Sequence, residues 1–371
     1  MKIQKENPFE YLRRQEDGKP FDQETVKSWY LARAYVLDKL KEIAYKPNSN
    51  EHLHVVVNGD NARMLFVVRQ VALSAHYINF DEAQEESCRN RTVISIVSQN
   101  PDIKRELEKE EFLCNLPKYC MVVDKDLTTT NKDSYIDIAI RIVETCPKNE
   151  GECMLVISQE EVNTFFENNR NNQEILSIDT RKAVYASRIY GLGSEIDNLP
   201  AEDIHCAKRY ALAMDVYQHQ ILKEKPGTLI DEERWKDLNI VKESLSNIFC
   251  TDCFESRSLG VQQCWNGTVK KKKLWEQNNE ALSKSEHARW VVEKLIMGYS
   301  PLDAQQRFKD ENLFYDKKAK GQYRKSLKRN AKHPAHIDLC SYADLRRINP
   351  NDLKYDSFLM LAIPKILEKV S

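Results

Sequence analysis

At 371 residues the chain is long enough for two or three domains of ordinary size, and 41% hydrophobic with 30% charged residues describe a globular protein with a real core rather than a disordered one. A net charge of −1 excludes a protein that is basic throughout; any polyanion site must be local, and nucleic acid is not expected as the partner of the chain as a whole. No run approaches the ~18–20 apolar residues of a membrane span and the lysine-bearing start lacks an apolar signal core, so the expected location is cytoplasmic, with no span of its own.

The ten cysteines are scattered through apparent strands and helices, which reads as reduced thiols rather than a disulfide framework. Cys250, Cys253 and Cys264 have metal-ligand types, but no fourth ligand sits at a convincing spacing and no metal is assigned.

In chain order, residues 1–50 hold a charged start and one amphipathic helix. Asp22 reads as its N-cap, Val26, Trp29, Tyr30, Val36, Leu37, Leu40 and Ile43 give the helical repeat, and Lys46–Asn50 end it. Short apolar runs then alternate with helical ones. The strands expected are Leu53–Val57, Thr92–Val97, Tyr119–Val123, Cys153–Ile157 and Ile175–Ile178; the helices are Ala62–Ser74, Tyr135–Thr145, Glu161–Asn169 and Arg181–Tyr190. Continuously apolar strands separated by helices predict a parallel sheet of Rossmann-like type over residues 51–198. Residues 199–371 read as mostly helical. The fold class expected is α/β, a Rossmann-like parallel sheet domain followed by a mostly α-helical one.

The first strand-to-helix turn is Asn58-Gly59-Asp60-Asn61-Ala62-Arg63. A dinucleotide fold wants several glycines there, so that backbone N–H groups approach a pyrophosphate. Only Gly59 remains, Asp60 adds a negative charge, and the second strand ends Ser98-Gln99 without the usual ribose-binding carboxylate. Gly59, Asn61 and Arg63 are the residues that would serve any ligand at this turn; the reading preferred is a scaffold that has lost or changed its ligand. The following helix is apolar almost all round, from Met64 to Leu73, and must be covered on both sides. The second cover is the C-terminal half or another subunit, and a homodimer is favoured.

The most distinctive stretch is Ser285–Tyr299. Ala281, Leu282, Ala288, Val291, Val292 and Leu295 form one helical stripe, with Trp290 on the opposite side beside Glu286, Glu293 and Met297. Gly298 is the expected C′ stop, followed at once by Tyr299. An indole on a polar face is either covered by another element or offered as a stacking shelf.

Glu286-His287-Ala288-Arg289-Trp290, then Gly298-Tyr299, resembles the E-H-x-R-W…G-[WY] signature of the ryanodine-receptor repeat (RyR) domain, in the form found in stand-alone bacterial proteins. The second part of that signature, H-P-x-L-x-x-[WY]-x-x-L, is similar to His336–Leu345, with Ile337 where the family has proline. Asp356 and Ile363-Pro364-Lys365-Ile366-Leu367 match its tail, and Ala207–Tyr217 with Trp235–Leu238 match the segments that precede the repeat. The block 51–198 is similar, at the level of pattern, to the nucleotide-binding TrkA-type domain that often precedes bacterial RyR repeats. The resemblance implies a small-molecule module whose eukaryotic relatives are associated with adenine nucleotides. Trp290, Tyr299 and Tyr342 would then sandwich a purine, Arg289 would fork onto phosphate, and Glu286, His287 and His336 would orient the ligand, an adenine or cyclic nucleotide. The bland alternative makes Glu286, Arg289 and His336 an internal polar cluster.

Between Tyr299 and His336 lie 36 residues where the family usually has a short segment. This insert, 300–335, carries Lys317, Lys318, Arg324, Lys325, Lys328 and Arg329 with interleaved tyrosines, and its cations are candidates for phosphate contact; a solvated helical hairpin is the alternative. No nucleophile–base set, phosphate-loop motif or paired-histidine metal pattern can be argued, so no catalytic residue is assigned. The function expected is non-enzymatic sensing of a nucleotide-derived small molecule. Alternatives are a regulatory subunit docking on a membrane channel, transporter or other effector, and a nucleotide hydrolase.

Overall fold

The computed structural model describes residues 23–43, 45, 51–84, 90–103, 105, 107, 113, 115–122, 135–148, 153–177, 181–197, 245–263, 271–330 and 334–370. Asp22, Lys46–Asn50, Ala207–Tyr217, Trp235–Leu238 and Cys264 lie outside these residues.

Helix α1 (Gln23–Glu42) leads into β1 (Leu53–Asn58), α2 (Ala62–Ser74), β2 (Thr92–Val97), α3 (Leu116–Cys120), β3 (Met121–Val122), β4 (Ile138–Val143), β5 (Cys153–Ser158) and α4 (Gln159–Asn169). The strands form one sheet, parallel throughout, in the order β3-β4-β2-β1-β5. From β1 the chain moves outward through β2 to β3 at the edge, steps back into β4 between them, then returns to the other side of β1 for β5. That reversal is the topological switch of a Rossmann-like sheet, and the fold class is α/β as the sequence predicts. Register sets Val55 between Ile94 and Leu155, so Leu53, Val55, Val57, Ile94, Ile96, Ile138 and Ile140 share one buried face.

Two expected elements are corrected. The helix expected at Tyr135–Thr145 is strand β4, because Ile136, Ile138, Ile140 and Ile142 alternate with period two and seat every second side chain on the sheet's core face. The strand expected at Ile175–Ile178 is turn and bend over its described residues. The strand expected to start at Tyr119 is shortened too, since α3 runs through Cys120 before β3 begins.

The C-terminal part is helical: α5 (Arg181–Asp197), α6 (Leu245–Asp252), α7 (Phe254–Gln263), α8 (Lys271–Gln277), α9 (Asn279–Ile296), α10 (Ala304–Asn312), α11 (Lys317–Arg329), α12 (Tyr342–Ile348) and α13 (Leu353–Val370). Helix α2 is buried from Met64 through Val68 and from Gln70 through Ser74. Besides the sheet, α1, α4, α6 and α9 of the same chain pack against it. The face that favoured a homodimer is therefore covered within the chain and gives no reason for a second subunit.

One core joins the two halves. Val291, Val292, Leu295 and Ile296 of α9, with Leu339, belong to the same cluster as the sheet, α1 and α2. A second core gathers Tyr185 and Ile189 of α5 with Phe254, Trp275, Leu282, Phe358 and Ile363. Thus α5, which falls in the sheet portion by sequence, packs with the helical part. No helix among the described residues is long and apolar enough to cross a membrane.

Leu295 is fully buried in the shared core, and its carbonyl accepts from the Asn115 amide at 3.0 Å. Leu295→Ala is expected to cost about 2–5 kcal/mol and to leave one unfolding transition in calorimetry. Two separated transitions would show that the halves do not share a core.

Candidate functional site

The switch point between β1 and β5 is closed by its own side chains. Gly59 has φ +140°, and a Cβ there would stand 2.7 Å from Oε1 of Gln159, the first residue of α4. Asn61 caps α2 by accepting from the Met64 amide at 3.1 Å, and the Ser98 hydroxyl donates to Asp60. Arg63 donates to Asn163 at 3.0 Å and to Glu167 at 2.6 Å, both on α4. Asn61 thus secures the turn and Arg63 ties it to α4, while Gln159 lies over Gly59 where a pyrophosphate would approach.

Helix α9 ends as expected. Gly298, at φ +85°, donates to the Leu295 carbonyl at 3.0 Å while Tyr299 donates to Lys294 at 2.9 Å, the paired bonds of a Schellman stop. The face opposite the apolar stripe is not solvated. Glu286, Arg289 and Glu293 are each at 0% exposure, and Arg257 of α7 is at 1%. Arg289 donates through Nε and Nη2 to Glu286 at 2.9–3.1 Å and through Nη1 to Glu293 at 2.7 Å. Arg257 Nη2 stands 2.8 Å from the other side of Glu286, an ion contact rather than an aligned hydrogen bond. Glu293 also accepts from Lys294 at 2.6 Å and from Ser246 at 2.8 Å. Burial alone would raise the pKa of Glu286, but Arg289 and Arg257 hold it below the ordinary carboxylate range; Lys294 and Arg289 do the same for Glu293. Glu286 and Arg289, expected at a ligand, are committed to this internal network.

The remaining signature residues do come together. His336 meets the Trp290 ring edge-on at 5.0 Å, Tyr299 lies 6.3 Å from His336, His287 stacks on Trp290 at 6.1 Å, and Tyr342 meets His287 at 5.8 Å. Lys294 Nζ stands 5.6 Å over the indole. These rings pack on one another: Tyr342 is buried, and Trp290 and Tyr299 lie half-buried against the shared core. The purine sandwich expected of Trp290, Tyr299 and Tyr342 is thus replaced by ring-on-ring contact. Burial lowers the pKa of His287, whose Nε2 donates to the Cys340 carbonyl at 2.9 Å. Burial, aided by Lys328, pushes His336 down to about 3, and its Nδ1 accepts from the Asp338 amide at 3.2 Å.

Beside the cluster, the Asn349 amide donates to Asp338 at 3.0 Å and to Asp352 at 2.6 Å. Burial and the neighbouring Asp338 raise Asp352 to about 7, while the Asn349 hydrogen bond and Lys328 hold Asp338 low against its own burial. Cys250 and Cys253 are buried thiols; Cys253 donates to the Ser74 carbonyl at 3.5 Å, and burial pushes it up to about 12.

A cleft opens on the seam between the halves. It measures about 410 Å³ and is lined by Tyr119 and Tyr135 from the sheet side, and by Pro301, Leu302, Asp303, Arg307, Leu339, Cys340 and Asp344 from the helical side. The seam is tied by polar side chains. Asn115 Nδ2 donates to the Gly298 and Tyr299 carbonyls at 2.7 and 2.9 Å, Glu82 caps α12 by accepting from Tyr342 and Ala343 at 3.0 and 2.9 Å, and the Tyr135 hydroxyl donates to Leu339 at 3.3 Å. Asp303 caps α10 and Asp344 pairs with Arg347 at 3.1 Å. Arg307 is exposed, and its guanidinium makes no ion pair or hydrogen bond among the described residues. A second cleft of about 500 Å³ between α1 and α4 has Asp38, Glu42, Glu160 and Glu161 against Lys39, the wrong sign of wall for a phosphate.

Reading the sequence missed Tyr119, Tyr135 and Arg307. The spacing Asp303-x-x-Gln306 is a capping box that places Arg307 in the first turns of a helix, so part of this was available. Of the insert cations only Arg307 lines the cleft; those expected to contact phosphate do not. Arg324 grips Asp310 at 2.7 and 2.8 Å, Lys328 lies toward Asp338 and Asp352, and Lys317, Lys318, Lys325 and Arg329 are exposed.

No protein-family model, curated protein or solved structure matches the chain.

Two outcomes follow from this geometry. Arg289→Met strands Glu286 and Glu293 in the interior and is expected to cost about 3–5 kcal/mol in urea denaturation; a loss below 1 kcal/mol would show the network to be energetically idle. Asp352 binds its proton more tightly folded than unfolded, so its contribution is present at pH 4 and is lost as pH rises through about 7. Asp352→Asn keeps the polar contact without the charge. Its stability relative to the parent should therefore increase from pH 4 to pH 8, and an unchanged difference would sink the assignment.

Proposed function

We propose that this protein is a non-enzymatic sensor of a nucleotide-derived small molecule, bound in the seam cleft rather than between the signature rings. The observation that carries the reading is the Arg307 guanidinium, unpaired among the described residues, lining a cleft of about 410 Å³ that also presents two phenol rings. That size suits a small ligand, and clefts between packed units are common ligand sites. A flat base lies against Tyr119 or Tyr135, a phosphate meets Arg307, and the polar edge of Asp344 accepts from a ribose hydroxyl. The carboxylates of the cleft already serve as a helix cap and an ion-pair partner, which favours binding over hydrolysis.

The resemblance of Glu286–Trp290, Gly298-Tyr299 and His336–Leu345 to the RyR signature supports a small-molecule module. On this reading those residues build the wall of the cleft: His287 holds the Cys340 carbonyl, and the loop after Gly298 supplies Pro301 and Leu302. A ligand touching both sides changes how the halves meet, which is how binding becomes a signal.

The test is a thermal-shift screen of the whole chain against ATP, ADP, ADP-ribose, NAD and cyclic di- and oligonucleotides. A ligand at about 100 times its dissociation constant stabilises the native state by about 2.7 kcal/mol. The shift should vanish in Arg307→Ala and survive in Lys318→Gln. A panel with no shift removes the sensor reading in favour of a docking subunit, and turnover of a bound nucleotide replaces it with a hydrolase.

A further inference from the structure

The insert folds into an arm of which the seam cleft uses only the start, Pro301 to Asp303 and Arg307. Helices α10 and α11 lie side by side, joined by Asp310, which is 3% exposed and accepts from both Arg324 and Lys320. The Tyr323 hydroxyl donates to the Gln306 carbonyl at 3.3 Å, and Lys309 Nζ covers the Tyr323 ring at 4.6 Å. The base is pinned by a small core of Leu302, Ala335 and Ile337 with Leu327 against it, and by the bridge Ser300↔Ala335. Ile337, the departure from the family's proline, fills that core. The inner side of the arm is therefore fixed.

Its outer side is unlike the rest of the molecule. Helix α11 has seven lysines and arginines in thirteen residues, no carboxylate and no buried residue, in a chain whose net charge is −1. At ~100° per residue, Lys318, Lys325 and Arg329 fall within ~40° of one direction and form an exposed row ~16 Å long. At the tip, Tyr315 is 96% exposed and Phe314 66%, and Phe308 on α10 is also 66% exposed. Among the described residues only five large hydrophobic side chains are exposed, and three of them stand on this arm.

We infer that the arm binds single-stranded nucleic acid, with the row on α11 tracking phosphates and Tyr315 and Phe314 stacking bases. Backbone-tracking cations beside separate aromatic faces are what sequence-tolerant single-strand binding requires. An anionic membrane would use the same cations. It would also need a continuous apolar face to bury, whereas Phe314 and Tyr315 form one edge-to-face pair at 5.2 Å, set among Glu311, Asp316 and the lysines. A duplex would engage the cations and leave the rings idle.

The experiment is fluorescence anisotropy of a labelled single strand of about 16 nucleotides, oligo(U) or oligo(dT), titrated with the whole chain at about 50 to 200 mM salt. Binding should weaken with salt. The triple variant Lys318→Gln/Lys325→Gln/Arg329→Gln should flatten the log–log slope by about 2, at roughly 0.7 per phosphate contact. Tyr315→Ala should weaken binding about 5- to 150-fold with the slope kept. All four residues are exposed, so circular dichroism should be unchanged in the variants. Preference for oligo(U) over oligo(dT), or the reverse, supports the inference and names the source.

No binding at the lower salt overturns the proposal, as does binding that neither variant alters. Equal affinity for a duplex with no effect of Tyr315→Ala overturns the stacking role. Binding to phosphatidylserine vesicles with none to either strand makes the arm a membrane surface instead. The mononucleotide thermal shift depends on Arg307, so this test and the sensor test fail independently.

Discussion

The structure depends on charge held without water along one side of α9. Two arginines and two glutamates at 0–1% exposure are tolerable only because each guanidinium meets a carboxylate and each carboxylate meets more than one cation. Arg257 brings in α7, Ser246 brings in α6, and Asp356 of α13 lies close enough that Glu286, together with burial, pushes it well above its ordinary range. The network sets which helices surround α9. The opposite, apolar side of the same helix enters the core shared with the sheet. A single helix thus couples a polar interior on one side to an apolar one on the other, and the seam cleft forms where that coupling leaves room.

Glu286, His287, Arg289, Trp290, Tyr299, His336 and Tyr342 divide into two sets. Their aromatic and histidine members form a packed wall whose imidazoles burial keeps neutral, and their charged members lock the helix. The residues that line the cleft stand next to the wall, on the loop and helix that follow it and across the seam.

How much was legible in the sequence follows from the range of each cause. The bounds of Ala62–Ser74 and Thr92–Val97 were readable because cap, period and turn lie within a few residues. Gly298 was readable because a positive φ at a helix end demands glycine. Strand β4 was misread although Ile136, Ile138, Ile140 and Ile142 alternate, because the run also carries Arg141 and Glu144, which suit a helix. The role of Glu286 and Arg289 was not readable: their partner Arg257 sits on another helix, and a helical wheel cannot say whether a polar face meets water or another charge. Tyr119 and Tyr135 come to the same cleft as Arg307 only through the packing of the sheet portion on the helical part.

The bridge at Ser300 and Ala335 has a consequence for how such a chain can change. Ser300 donates to the Pro334 carbonyl at 3.0 Å and accepts from His336 at 3.1 Å, so the two ends of a 36-residue excursion are already neighbours. Closing that gap with a short turn would leave α9, the ring wall and α12 in place, since lengthening or shortening a surface loop alters closure entropy only slowly. A chain shortened in this way would keep the fold beneath but take Pro301, Leu302, Asp303 and Arg307 out of the cleft wall.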